Sequence, residues 1–349
     1  MYNHLRNYNL KTIGASAVAP DGTIYVGSGS KIYKSTNYGR SFTEVYTVPG
    51  NPMYIRTIFI DSNGYVFASG FKGISNYGIF RSIDNGQNWT EVLVLNEKCC
   101  IWRMAEKNGN LVAANYSFGD CTEHEARLYK SADGGANWTQ VYYDPNGRHM
   151  HGVWYDPYNG CFYATQGENG AQARMLRSSD GKTWKILKQD GLYAHTSFVC
   201  TTNYRIWGGD DPKIRRTSDD IHFEVVWENP GDYKGPFFWA RKTDDGVIYF
   251  SMITNGASLI PAHAAIFKTY DEGDSWAIVK DWGSINASWK GSSFASNVAP
   301  DGTIFISDNI IRLSTILNPR YMLNFLLETR LRPIHLKQFL RLLMEKALF

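Results

Sequence analysis

The sequence has one segment in which histidines and an acidic residue come close enough along the chain to form a reactive site. His149 and His151 are two residues apart in R-H-M-H, which places both side chains on one face of a predicted strand. Glu168 lies at the end of the following strand, and His195 opens a later one. These residues could form a divalent metal site or a base and acid pair. They could equally make ordinary hydrogen bonds to loop carbonyls.

Carboxylates near this segment offer a second kind of chemistry. The loop at 120–127 contains Glu123 and Glu125, which we place nearest to the histidines, and Asp210-Asp211 lies beyond His195. A glycosidase needs two carboxyl groups facing each other across a sugar, one neutral and one ionised. We predict His151, Glu168, His195, Glu123 and Glu125 as catalytic residues. The alternative is a solvated charged loop.

Arginines and aromatic residues flank the same positions and predict substrate binding. Arginine pairs with carboxylates through two hydrogen bonds, so an acidic sugar is a candidate ligand. Aromatic rings can stack on sugars, although core packing is an equally simple role for them. The predicted binding residues are Arg56, Arg103, Arg148, His149, Tyr116, Tyr193, Trp239 and Arg241, with Trp102 and Trp154 as further stacking candidates.

A repeated motif predicts the framework that holds these residues. F-R-S-I-D-N-G-Q-N-W at 80–89 recurs with small changes at 128–138 and 267–276. With three weaker copies the motif occurs six times, at intervals of 39 to 52 residues. The serine or threonine of each copy is Ser35, Ser82, Ser131, Ser178, Thr217 or Thr269. Such a period is typical of a four-stranded repeat unit. In each unit the aspartate can accept backbone N–H bonds within a turn, and glycine supplies the positive φ that the turn needs.

The motif resembles the Asp box, or BNR repeat, of sialidases and related β-propellers. The resemblance implies a propeller in which Asp84, Asp133, Asp180, Asp219 and Asp271 are structural and lie on the face away from the active site. The phrase A-P-D-G-T-I-Y-V at 19–26 returns in similar form at 299–306, which is 280 residues later. We therefore predict an all-β, seven-bladed β-propeller of four-stranded antiparallel blades. Its last outer strand comes from 321–327 or from 2–8.

The end of the chain has a different pattern. Residues 328–349 carry apolar side chains at helical spacing, which predicts a short C-terminal amphipathic helix packed on the propeller or on a neighbouring subunit. The alternative is a disordered or artificial tail. The predicted domains are therefore a propeller at 1–327 and a helical tail at 328–349.

Composition limits the partners and the location. The 349 residues carry a net charge of only +3, which gives no reason to expect nucleic acid as a partner. Five cysteines show no disulfide or zinc spacing. No apolar run is long enough for a membrane span, and the first residues lack the apolar core of a secretory signal. We expect a cytoplasmic protein or one associated with a virion or cell surface.

The sequence departs from sialidases proper. That family uses three arginines, the first in an R-I-P motif, whereas Arg56 here is followed by Thr57. Xyloglucanase-like relatives use paired aspartates in a cleft between two propellers, whereas this chain has the repeats of one propeller. Propeller polysaccharide lyases combine His, Tyr and Arg, a set that His151, His195, Arg56, Arg103 and Tyr193 or Tyr233 would match. Phage or bacterial surface propellers and photosystem assembly factors are also similar.

We predict a protein that binds and cleaves a neutral or acidic poly- or oligosaccharide, as a glycoside hydrolase or a polysaccharide lyase. The alternative is a non-catalytic propeller scaffold or a glycan- or protein-binding module. A divalent metal is compatible with the histidines, with His149, His151, His195 and Glu168 as candidate ligands, but nothing in the sequence requires one.

Overall fold

A computed structural model describes residues 2–4, 13–49, 53–72, 77–95, 99–117, 125–167, 172–228, 231, 233–254, 262–285, 294–307 and 313–316. These residues form twenty-eight β-strands, numbered β1 to β28 along the chain. The described part of the chain contains no α-helix, and a 3-10 turn lies at Gly191–Tyr193. No helix found there is long and apolar enough to cross a membrane.

Six blades each consist of four consecutive antiparallel strands. In chain order they are blade 1 (β2 Ile13–Val18, β3 Ile24–Ser28, β4 Lys31–Ser35, β5 Thr43–Thr47), blade 2 (β6 Met53–Ile60, β7 Val66–Lys72, β8 Tyr77–Ser82, β9 Thr90–Leu95), blade 3 (β10 Cys99–Lys107, β11 Asn110–Ser117, β12 Ala126–Ser131, β13 Thr139–Asp144), blade 4 (β14 Met150–Asp156, β15 Cys161–Gln166, β16 Arg174–Ser178, β17 Lys185–Gln189), blade 5 (β18 His195–Cys200, β19 Arg205–Gly209, β20 Lys213–Thr217, β21 Glu224–Glu228) and blade 6 (β22 Phe237–Lys242, β23 Ile248–Met252, β24 Ala262–Thr269, β25 Ala277–Ile285).

A smaller composite sheet combines both ends of the chain in the order β1-β28-β27-β26. Its strands are β1 Tyr2–His4, β26 Phe294–Ala295, β27 Ile304–Ser307 and β28 Leu313–Ile316. The first strands of blades 1 to 6 lie side by side in chain order, and β26 lies between β22 and β2. This closed arrangement of antiparallel sheets is a β-propeller.

The predicted fold needs correction in two respects. The prediction of seven equivalent blades is wrong, because six blades are built from consecutive strands and the composite sheet is made of short strands from both termini. A C-terminal helix is not found, since the described residues contain none and the predicted tail at 328–349 lies outside them. Its proposed role in oligomerisation therefore has no support.

Tight turns join the first two strands of each blade, and five of the six blades have an Asn-Gly or Asp-Gly pair there. Asn108 and Gly109 both have positive φ, 49° and 76°, in a two-residue hairpin between β10 and β11. At the equivalent corner of blade 1, Thr23 N–H donates to Asp21 at 2.9 Å and Gly22 has a φ of 84°. These turns all lie on one face of the ring.

The repeated Ser/Thr–x–Asp motif closes the turn between the third and fourth strand of each of the six blades, with Asn37 in place of the aspartate in blade 1. In blade 2, Ser82 Oγ donates to Asp84 at 2.8 Å and accepts the Gly86 N–H at 2.9 Å. Asp84 also accepts the Asn88 N–H at 2.8 Å. These bonds, led by those from Asn88, lower the pKa of Asp84 to about 2. The aspartate is therefore an acceptor that serves the turn, as the sequence predicts.

Each turn also packs against the preceding blade. Trp89 donates its indole N–H to the Gly86 carbonyl at 3.1 Å and stacks on Tyr46 of blade 1 at 5.4 Å. In blade 3, a Cβ on Gly135 would lie 2.3 Å from the ring of Phe67 in blade 2, so this position requires glycine for space as well as for its φ of 80°. The turns therefore lock neighbouring blades together.

Blade 5 has an aspartate at the position that is glycine in the other turns. Asp220 has a φ of 63°, and its N–H donates to Thr217 Oγ1 at 2.9 Å as the glycine does elsewhere. Its carboxylate pairs with Arg205 at 2.5 Å and accepts the Tyr163 hydroxyl of blade 4 at 2.7 Å. A strained backbone position is thus combined with an ion pair inside blade 5 and a hydrogen bond to blade 4.

Candidate functional site

The face opposite these turns is formed where the inner strands begin. In each of the six blades the inner strand carries a β-bulge there, and bulges are frequent next to active sites because they redirect a side chain. The bulged residues are Gly14, Arg56, Trp102, His151, Thr196 and Phe238. We call this surface the bulge face.

The predicted histidine cluster does form on the bulge face between blades 3 and 5. The rings of His149 and His151 lie 5.1 Å apart. His149 Nδ1 lies 2.9 Å from the Ser117 carbonyl, and the ring stacks on Tyr116 at 4.0 Å. Tyr116 in turn stacks on Trp102 at 4.5 Å. We call Trp102, Tyr116 and His149 the aromatic stack.

His195 is fully buried and stacks on Trp207 at 5.2 Å. Burial, followed by the charges of Arg215 and His151, holds its pKa well below the usual value. The ring is therefore neutral at pH 7, and neither of its nitrogens has a hydrogen-bond partner among the described residues. Exposed fractions of 0% for His149 and 4% for His151 show that the cluster lies below the surface.

Two adjacent carboxylates lie beside this cluster. Asp211 forms two hydrogen bonds with Arg215, at 2.8 and 2.6 Å, and a Cβ on Gly209 would lie 1.9 Å from the Asp211 carboxylate. Asp210 has an open surface, and in the described residues its carboxyl forms neither an ion pair nor a hydrogen bond. Although the residue as a whole is exposed, neighbouring protein atoms displace water from its carboxyl. This desolvation, followed by the charge of Asp211, raises its pKa to about 6, against the influence of Arg148. Two neighbouring carboxyl groups thus have different environments.

The other predicted acids lie elsewhere. Glu125 pairs with Arg127 and accepts the Tyr143 hydroxyl at 2.7 Å, so its carboxylate is fully engaged within blade 3. Glu123 and Glu168 lie outside the described residues. No group of three or more His, Cys, Asp or Glu side chains suited to a metal ion occurs within the described residues. The metal proposal therefore has no added support.

The predicted arginines separate into two groups. Arg148 lies close enough to Asp210 to influence its pKa. Arg56, Arg103 and Arg241 instead line the central channel, a cavity of about 300 Å³. Arg103 donates to backbone carbonyls across this channel, and Arg241 donates to carbonyls of the adjacent composite sheet. The structure does not bring all four arginines together at one ligand position.

The predicted aromatic platforms also separate. Trp239 is 1% exposed and belongs to the core, which removes it as a surface platform. Tyr193 packs edge-on against Phe223 at 5.2 Å and against His195 at 6.1 Å. Trp102, Trp154 and Phe238 are partly exposed and line the channel, and the partly exposed Tyr116 stacks on Trp102.

A histidine–carboxylate pair on blade 6 was missed by the sequence reasoning. His263 Nδ1 lies 3.1 Å from the Asp281 carboxylate, which also accepts the Tyr233 hydroxyl at 2.9 Å. Burial opposes ionisation of Asp281, but the Gly283 N–H, Tyr233 and His263 outweigh it and lower its pKa. These residues lie on different strands with no common motif, so only the strand pairing of β24 with β25 could have revealed the contact.

Comparison with known proteins shows a weak sequence similarity to one protein and a similarity in fold to several solved structures. No protein-family model matches the chain. A xyloglucanase from Hypocrea jecorina (strain QM6a) is 29% identical over 139 residues, a match that spans 36% of this chain and 14% of that protein.

Solved structures are similar in fold. A streptogramin B lyase has a TM-score of 0.66 at 12% identity, with 91% of this chain and 97% of the other covered. A virginiamycin B lyase from Staphylococcus aureus has a TM-score of 0.65 at 13% identity, with 91% and 98% covered. An ancestral GH74 enzyme has a TM-score of 0.61 at 15% identity, with 88% and 45% covered. These similarities define the class of protein, a β-propeller, and a propeller fold by itself does not define a function.

Proposed function

We propose that the protein binds a polysaccharide on the bulge face and cleaves it with Asp210 as the residue that transfers a proton. The observation that carries the proposal is the pair Asp210 and Asp211, in which Arg215 neutralises one carboxylate and leaves the other available. The pair lies on the face opposite the structural turns, next to Arg148 and the histidine cluster. The weak similarity to a xyloglucanase favours a glycan as substrate.

We also infer that the Ser/Thr–x–Asp turns are Asp boxes and that the chain is a distant relative of carbohydrate-active Asp-box propellers. The recurrence of one hydrogen-bond pattern supports this, because Ser82, Ser131 and Thr269 each bind the aspartate two residues on and the glycine four residues on. Location in the cytoplasm or on a virion or cell surface stays a prediction.

Asp210 has the properties of a general acid near neutral pH. A pKa of about 6 keeps a useful fraction of the carboxyl protonated where many glycans are stable. Arg148 lies close enough to position an acidic sugar or to favour the ionised carboxylate after proton transfer. Because the protonated form is the active one, activity should fall as the pH rises through about 6.

The test compares Asp210→Asn with the wild type on a panel of neutral and acidic polysaccharides. We expect turnover to drop by about 10²- to 10⁴-fold, the usual contribution of a general acid, while binding persists. Asp244→Asn, in an exposed turn on the opposite face, is the matched control and should be fully active. Ultraviolet absorbance of unsaturated products separates a lyase from a hydrolase. Full turnover by Asp210→Asn would remove Asp210 from the mechanism.

A binding role without cleavage is the second candidate, and the aromatic stack favours it. Its partly exposed rings, Trp102 and Tyr116, suit stacking on a sugar and need no carboxyl group. In that case Trp102→Ala should weaken glycan binding at least tenfold, and neither this variant nor the wild type should release products.

A further inference from the structure

We propose that the central channel binds an anion between Arg103 and Arg241, a site distinct from the Asp210 region and independent of the proposed catalysis. The channel encloses a cavity of about 300 Å³. This is several times the roughly 30 Å³ that one water occupies in the liquid, so a small anion with some of its hydration fits. Three arginines line the cavity, and none of the described residues that line it is an aspartate or glutamate.

Arg103 extends from blade 3 across the channel. Its Nη2 donates to the Thr196 carbonyl of blade 5 at 3.1 Å and to the Phe238 carbonyl of blade 6, and its guanidinium lies 5.5 Å from the centre of the Trp154 ring. Its buried Nε has no acceptor among the described residues. A Cβ on Gly152 would lie 2.6 Å from Arg103 Cδ, so this glycine leaves the space through which the side chain passes.

Arg241 lies on the inner strand of blade 6. Its three nitrogens donate to the carbonyls of Ser296 at 2.6 Å, Ala240 at 2.7 Å and Ala295 at 2.8 Å. The contact links blade 6 to the composite sheet. Neither Arg241 nor Arg103 forms an ion pair with any carboxylate in the described ranges.

Two guanidinium charges therefore line one cavity without a counterion among the described residues. Burial, with the charge of Arg241 as the second cause, lowers the pKa of Arg103 to about 9, and burial lowers that of Arg241 to about 10. Carbonyl dipoles satisfy many of the N–H groups but cannot cancel a net charge. An anion in the channel would supply the missing charge and an acceptor for Arg103 Nε.

The donor set indicates the chemical class of the ligand. Guanidinium groups bind oxyanions through paired hydrogen bonds, so sulfate, phosphate and carboxylate are favoured over a halide. An oxyanion could come from the solution as an inorganic ion or from the carboxylate of an acidic sugar. Both sources present the same group to the two arginines.

The primary experiment is isothermal titration of the full chain with sulfate at constant ionic strength. We expect saturable binding of one sulfate per chain and an affinity at least tenfold weaker in Arg241→Met. Arg40→Met removes an exposed arginine from the opposite face and should bind sulfate as the wild type does. Glucuronate that displaces sulfate would identify an acidic sugar as the source, and sulfate binding without displacement would identify an inorganic ion.

A second measurement uses the unaltered protein, in case the variant does not fold. Crystals grown in selenate, an oxyanion with the shape of sulfate, should give an anomalous selenium peak in the channel, within contact distance of Arg103 and Arg241. Absence of saturable sulfate binding, equal affinity in Arg241→Met, or selenate found only outside the channel would overturn the proposal. The Asp210→Asn assay does not depend on any of these results, so the two proposals fail separately.

Discussion

Removal of one hydroxyl from a Ser/Thr–x–Asp turn should measure how much these turns stabilise the fold. In blade 4, Ser178 is 3% exposed, and its Oγ donates to Asp180 at 2.9 Å and accepts the Gly181 N–H at 2.9 Å. Ser178→Ala deletes both bonds and leaves a buried N–H without this acceptor. Each intact bond contributes about 1 kcal/mol, and an unsatisfied buried donor costs about 1–3 kcal/mol.

We therefore expect Ser178→Ala to lower the free energy of unfolding by about 2–3 kcal/mol. Ser179→Ala is the matched control, because Ser179 is the next residue of the same turn, is exposed, and takes no part in these two bonds. Urea titration followed by tryptophan fluorescence should give a lower midpoint for Ser178→Ala at an unchanged slope. Equal midpoints for the two variants would refute the view that the hydroxyl holds the turn closed.

Three further predictions follow from individual contacts. Desolvation of the carboxyl, followed by the charge of Asp211, raises the pKa of Asp210 above its unfolded value, so its contribution to stability is full below pH about 4 and is lost as the pH rises through about 6. Asp210→Asn should remove this loss, which urea midpoints at several pH values will detect. Asp220→Gly relieves the strain of a left-handed residue, worth about 1 kcal/mol, but removes the bonds to Arg205 and Tyr163. We expect the free energy of unfolding, measured by urea denaturation, to fall by about 1–3 kcal/mol, and a rise would contradict this expectation. Gly152→Ala should displace the Arg103 side chain and destabilise the protein by about 1–3 kcal/mol. A thermal melt should show this, and a melting midpoint equal to that of the wild type would disprove it.

The repeat and its turn chemistry were predictable because they depend on residues close in sequence. Ser82, Asp84 and Gly86 meet within one turn, and their spacing was sufficient to predict both the contact and its structural role. The two-residue corner at Asn108 and Gly109 follows from the same local rule.

The candidate site was predicted only in part. His149 and His151 are neighbours on one strand, so their proximity could be deduced from the sequence. Arg103 and Trp239 looked equally suitable as ligand contacts, but Arg103 spans the channel to backbone carbonyls and Trp239 lies in the core. The direction of a side chain at a bulge and its depth below the surface depend on neighbouring blades, which a single strand does not specify.

By itself the sequence determined the strand period and the turns, because these follow from local hydrogen bonds and backbone preferences. The tertiary structure alone decided that the ring closes through a composite sheet from both chain ends. It also brought Arg148 close enough to Asp210 to influence its pKa and placed Arg103 and Arg241 in one channel. Those outcomes depend on charges and burial contributed by residues far apart in sequence, which become neighbours only when the ring is closed.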